Sequence, residues 1–211
     1  SSSKHKGVSF LLIDMASEGV TTRPIKLISG NSPFTETFFD SVKVPKENLV
    51  GTLNEGWTIA KYLLTHERQM IGGIGDTDKK EYLRDEAIKV LGKNNDILSD
   101  TILRSKIAEL EMNQEIFDLT IQRTMDEHKA GNSSGAASSF FKYYGTELSI
   151  QSEELRLSVN GFNASEWTSK ESNNGLQARY FCRTKGHSIE GGTHEVQLNI
   201  IAKRILGLPS K

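Results

Sequence analysis

The sequence predicts a mainly α protein, a helical bundle preceded by a partial β-sheet. Before Val50 the apolar residues come in short β-branched or alternating runs, and from Glu55 onward they recur at helical spacing. Gly and Pro punctuate the first region at Gly19, Gly30, Pro33 and Pro45, whereas Gly72, Gly73, Gly92 and Gly131 close helical stretches.

The β-rich part contains three runs: VSFLLID at 8–14, GVTTRPIKL at 19–27 and TETFFDSVKV at 35–44. They read as a three-strand meander that buries too little surface to stand alone, so part of the sheet is expected from elsewhere. A helix is expected over 55–72, stopped by Gly72 and Gly73, and a shorter charged one over 77–91, stopped by Gly92. Ser99 or Asp100 then caps a long helix. Its apolar positions Leu103, Ile107, Leu110, Phe117, Ile121 and Met125 keep nearly heptad spacing, the signature of a bundle member. The GNSSG link at 131–135 ends it, another helix covers 136–159, and 161–175 reads as a polar loop. More helical sequence follows, then a last helix beyond Thr193. The change of period near Val50 sets the expected domains, a β remnant over 1–52 and a helical bundle domain over 53–211.

Composition narrows the function classes. A formal net charge of −1 with no basic tract argues against nucleic acid as a partner. No segment reaches the ~20 apolar residues of a membrane span. The single cysteine, Cys182, has no partner for an internal disulfide, which fits a reducing compartment: the cytoplasm, or the mitochondrial matrix in a eukaryote. The stretch at Ser1–Lys4 lacks the apolar core of a signal peptide. His5, His66, His128 and His187 have no metal-ligand spacing, so no metal site is expected.

Two places carry candidate chemistry. Gly191 and Gly192 allow close backbone approach to a ligand, and Thr193 is a good helix N-cap whose neighbouring N–H groups favour an anion. Alone, such a triplet is an ordinary capped turn. Glu67 and Arg68 lie within the first helix, flanked by Leu63, Leu64, Met70 and Ile71 and by Gly72, Gly73 and Gly75. On spacing alone the pair reads as a solvated charged face, but a carboxylate in those surroundings is open to desolvation, which raises its pKa and suits it to general-base work.

Longer strings sharpen both sites. The run KGVSFLLID at 6–14, the string FDSVKVPKENLVG at 39–51, the Glu55-Gly56-Trp57 opening and the segment SIEGGTHEVQLNIIAKRILGLP at 188–209 together resemble the acyl-CoA dehydrogenase family. The resemblance implies the end of that family's middle β domain followed by its C-terminal four-helix domain. It also implies an FAD-dependent oxidation of an acyl-CoA thioester, with electron-transfer flavoprotein as acceptor and a homo-oligomer, dimer or tetramer, as the assembly. In most members the catalytic base directly precedes the Gly-Thr of the C-terminal segment. Here that position is Gly191, and Glu190 falls one residue short. Some branches place the base on the first helix of the domain in a Glu-Arg pair, which Glu67-Arg68 matches. The resemblance therefore makes Glu67 the base, Arg68, Gly191 and Gly192 substrate-binding, and Thr193, His194 and Glu195 cofactor-binding.

The chain also departs from the family pattern. The first helical domain and the early strands are absent, Ile88 stands where an Arg contacts the neighbour's flavin, and a paired-glycine loop is reduced to Asn160-Gly161. These departures make the chain read as a C-terminal piece that binds FAD weakly by itself. Two other functions stay open: an assembly module, and a non-catalytic subunit of a mixed oligomer.

Overall fold

The computed structural model describes residues 5–71, 82–132, 137–170 and 172–209, the side chains of residues 65 and 67–71 excepted. The chain divides into two compact units, Ser1–Glu67 and Arg68–Lys211.

In the first unit β1 (Phe10–Leu11) pairs antiparallel with β4 (Leu49–Val50), and β2 (Val20–Ile25) pairs antiparallel with β3 (Phe34–Phe39) in the register Val20 to Phe39. The expected three-strand meander is therefore corrected to two separate pairs. Residues 48–56 take up the backbone of the first run. Asn48 O accepts from Leu12 N at 3.0 Å, Asn48 Nδ2 donates to Leu12 O at 3.0 Å, and Gly56 N donates to Val8 O at 2.8 Å. The β2–β3 hairpin leaves Ile25, Phe34, Phe38 and Phe39 exposed, as an incomplete sheet does. α1 (Gly56–Ile71) starts where only glycine fits, since a Cβ on the buried Gly56 would lie 2.5 Å from Phe10 N.

In the second unit α2 (Leu83–Leu91) stops at Gly92 as expected; the proposed start of this helix near Thr77 lies outside the described residues. A small hairpin, β5 (Lys93–Asn94) and β6 (Ile97–Leu98), follows, turning through Asn95 and Asp96 at φ 50° and 62°. Asn and Asp tolerate that left-handed pair, which matches the strand twist. α3 (Thr101–Lys129) is capped by Asp100, whose Oδ1 accepts from Ile102 N at 3.0 Å and Leu103 N at 2.9 Å. α4 (Ala137–Ala164) breaks helical geometry at Gly161, with φ 59° and ψ −142°. α5 (Leu176–Thr184) and α6 (His194–Ile200) complete the bundle, and α6 widens into a π-helical turn over Ile201–Ile205.

The core forms where the long stripe of α3 meets α4. Ile107, Leu110 and Phe117 are buried with Phe141, Leu148 and Val159, and Leu83, Ala87 and Leu98 join from α2 and the hairpin. Phe117 packs within 5.9 Å of the Phe141 and Tyr144 ring centres. Met125 departs from the expected stripe and is 46% exposed. Phe117 already faces the first turns of α4, so α3 overshoots its partner two turns later. A second apolar line on α3, Met112, Ile116 and Leu119, stays exposed. Polar cross-links tie α4 to its neighbours. Glu86 of α2 accepts from Arg156 and, at 2.9 Å, from Asn160 Nδ2, and Gln177 of α5 donates to Glu153 at 2.8 Å.

Candidate functional site

The C-terminal turn is built by its own glycines and held by α4. Gly191 and Gly192 sit at φ 64° and 97°, where side chains are disfavoured. Thr193 is the N-cap of α6, its Oγ1 accepting from Val196 N at 3.3 Å. Gln197, one turn on, is fully buried, and its Nε2 donates to Gly191 O at 3.2 Å. Its Oε1 is buried with no hydrogen-bond partner among the described residues.

His194 points inward. Its Nδ1 lies 3.0 Å from Glu147 Oε1, its Nε2 lies 2.8 Å from Thr146 Oγ1, and the edge of its ring meets Tyr143. Burial, with the charge of Lys142 behind it, lowers the imidazole pKa against the pull of Glu147 and Glu195. The ring is therefore neutral at pH 7. A carboxylate only accepts, so Nδ1 carries the proton toward Glu147 and Nε2 accepts from the Thr146 hydroxyl.

Lys142 is fully buried, and its Nζ donates to His187 O at 3.0 Å. Burial lowers its pKa, and the carboxylates of Glu190, Glu195 and Glu147 draw it back up. Glu190 is clasped by Arg183 through Nη2 at 2.9 Å and Nη1 at 3.3 Å, with His187 Nε2 3.4 Å from the same carboxylate. Glu195 stands exposed in the first turn of α6. Its own backbone N–H and the Thr193 hydroxyl hold its carboxyl below the usual range.

The structure thus gathers Gly191, Gly192, Thr193, His194 and Glu195 on one turn. Glu67 and Arg68 lie on α1, with side chains outside the described residues. Lys142, Thr146, Glu147, Arg183 and Gln197 were not expected from sequence. Lys142 did leave a signal, a lone cation between Phe140-Phe141 and Tyr143-Tyr144. Among the described residues no cluster of His, Cys, Asp or Glu could hold a metal ion, and no helix is long and apolar enough to cross a membrane.

The donor set suits the uncharged part of a flavin better than its phosphates. The Thr193 hydroxyl already serves Val196 N and Glu195, and an ionised Glu195 at the helix start repels a phosphate. The two positive-φ glycines leave bare backbone, and the buried Gln197 Oε1 is an unused acceptor beside it.

Comparison with known proteins agrees with the architecture. Residues 54–206 match the family model described as acyl-CoA dehydrogenase, C-terminal domain. The acyl-CoA dehydrogenase FadE34 of Mycobacterium tuberculosis is 33% identical over 211 residues, covering 98% of this chain and 27% of that protein. The acyl-CoA dehydrogenase IpdE1 of Mycolicibacterium smegmatis is 29% identical over 210 residues, 99% of this chain and 51% of that protein. Among solved structures, the Tcur3481-Tcur3483 steroid ACAD superposes with a TM-score of 0.84 at 24% identity, over 100% of this chain and 54% of that one. The chain therefore spans only about a quarter to a half of the two curated relatives' length.

Proposed function

Because residues 54–206 place the chain in the acyl-CoA dehydrogenase family, as its C-terminal domain, we propose that it forms part of an FAD-dependent enzyme oxidising an acyl-CoA thioester to the 2,3-enoyl-CoA, with residues 1–52 as the end of the preceding β domain. In this reading Glu67 removes the α-proton and Arg68 helps hold the substrate. Gly191 and Gly192 give the substrate close backbone access, and Thr193, His194 and Glu195 line the cofactor side. When bound, FAD supplies the two-electron acceptor for the β-hydride. The inward-turned His194 ring leaves its backbone as the surface for that contact, and Glu195 is suited to a ribose hydroxyl.

One observation carries the choice of base. The nearest carboxylate to the usual position, Glu190, is tied up by both terminal nitrogens of Arg183. Proton abstraction would require breaking that clasp. Glu195 is held in its weakly basic form, so neither acid of the turn is suited to the work, and Glu67 remains.

The test is substitution in the full-length protein that carries this chain. Glu67→Gln is expected to keep FAD bound and lower acyl-CoA dehydrogenation by ~10³-fold or more, in the upper half of the 10²–10⁴-fold range usual for a general base. Glu190→Gln is expected to retain most activity. The opposite pattern refutes the assignment. Homo-oligomeric assembly and electron-transfer flavoprotein as acceptor belong to the same proposal. A second reading, a subunit of a mixed assembly, is favoured by the exposed line Met112, Ile116 and Leu119 on α3 together with the missing carboxylate at Gly191.

A further inference from the structure

We propose that Gln197 is a positioning residue whose buried carboxamide clamps the Gly191 carbonyl and so fixes the backbone of the 191–193 turn. The proposal rests on the function above only for what the turn is used for. The clamp itself is read from geometry.

Gln197 is fully buried, one of the largest such side chains among the described residues, yet it is polar. Its backbone is anchored by Gln197 N donating to Thr193 O at 3.0 Å. From there the side chain runs back toward the helix N-terminus, as helical side chains do, and Nε2 reaches Gly191 O at 3.2 Å. The orientation of the amide follows from that partner, since flipping it would set two oxygens against each other. Gly192 completes the lock. At φ 97° it is already unfavourable for a side chain, and a Cβ there would collide with the Gln197 amide nitrogen. The absence of a side chain at 192 thus leaves room for the Gln197 amide. A buried amide used only as filler would be better replaced by a hydrocarbon, because Oε1 finds no partner among the described residues. The bond from Nε2 accounts for its presence.

The consequence is a turn shaped before any ligand arrives. Lys142 holds the His187 carbonyl on one side, Gln197 holds the Gly191 carbonyl on the other, and the intervening Glu190 is fixed by Arg183. The N–H groups of Gly192 and Thr193 inherit that order.

The test is amide hydrogen exchange followed by NMR on the full-length protein that carries this chain. Gln197→Met keeps the length and removes the donor. Exchange at Val196 and residue 197, whose N–H groups bond to Thr193, is expected to quicken about tenfold, the scale of one lost hydrogen bond, while Leu110 and Leu148 in the core keep their rates. Unchanged rates at the turn, or an equal rise throughout, overturn the clamp and make Gln197 a packing residue. Gly192→Ala attacks the same contact from the other side and serves if Gln197→Met does not fold. It should free the Gln197 side-chain NH₂, whose slow exchange in the wild type becomes fast; no change there also overturns the proposal. Since the readout involves no flavin, its failure leaves the Glu67 assignment standing, and failure of that assignment leaves the clamp standing.

Discussion

Replacing Lys142 by methionine preserves the side chain's length and deletes its ammonium. The wild-type group is fully buried and donates to His187 O at 3.0 Å. A hydrogen bond from a charged donor contributes about 1.5–3 kcal/mol, and the His187 carbonyl would lose that donor. Relief from burying the charge offsets part of this, and burial is indeed the leading cause of the lowered Lys142 pKa. The expected net loss at pH 7 is about 1–2 kcal/mol. For a domain of this size that corresponds to a fall in Tm of about 2–8 °C. The pH dependence has a defined sign. The folded-state pKa lies below the unfolded value of 10.5, so between the two the unfolded chain binds more protons and stability rises with pH. The methionine variant lacks this gain, so its deficit should widen from pH 7 toward pH 10. Denaturant unfolding of both proteins at the two pH values measures it. Equal stability at pH 7, or a deficit that narrows in alkali, would refute the reasoning.

Two further outcomes follow from the same packing. His194 has a folded pKa below its ordinary 6.5, so its contribution is intact above pH 6.5 and is lost as pH falls through the folded value. His194→Gln should therefore flatten the acid limb of the Tm profile between pH 7 and 5, and an unchanged limb counts against the buried neutral ring. Phe117→Ala should cost about 3–5 kcal/mol by calorimetry or urea unfolding, since the ring fills the α3–α4 seam against Phe140, Phe141 and Tyr144; a cost below about 1 kcal/mol would mean that the seam is loosely packed.

What could be read in advance was what short-range chemistry determines. The Asp100 cap, the stop at Gly92 and the inward stripe from Leu103 to Ile121 each depend on residues within a few positions of one another, and each was legible. The pairing of the first run with 48–56 was not, because alternation shows which face a strand buries and not which segment it meets. The Arg183–Glu190 clasp escaped for a related reason. Its seven-residue separation crosses a 3₁₀ turn at Lys185–Ser188, so no i, i+4 rule points to it. Gln197 carried no signal at all, since a polar residue on a terminal helix reads as surface. The turn containing Gly191 was found by its glycines, whereas the side chains that hold it come from three helices, Lys142 of α4, Arg183 of α5 and Gln197 of α6.

The backbone at Gly191 also bears on redesign. A residue with φ near 64° is left-handed, and any side chain placed there begins about 1–2 kcal/mol in deficit before it makes a contact. A glutamate introduced at 191 would meet that deficit and would find Glu190 already paired with Arg183 next to it. Installing a carboxylate on this turn is thus opposed by conformation as well as by chemistry.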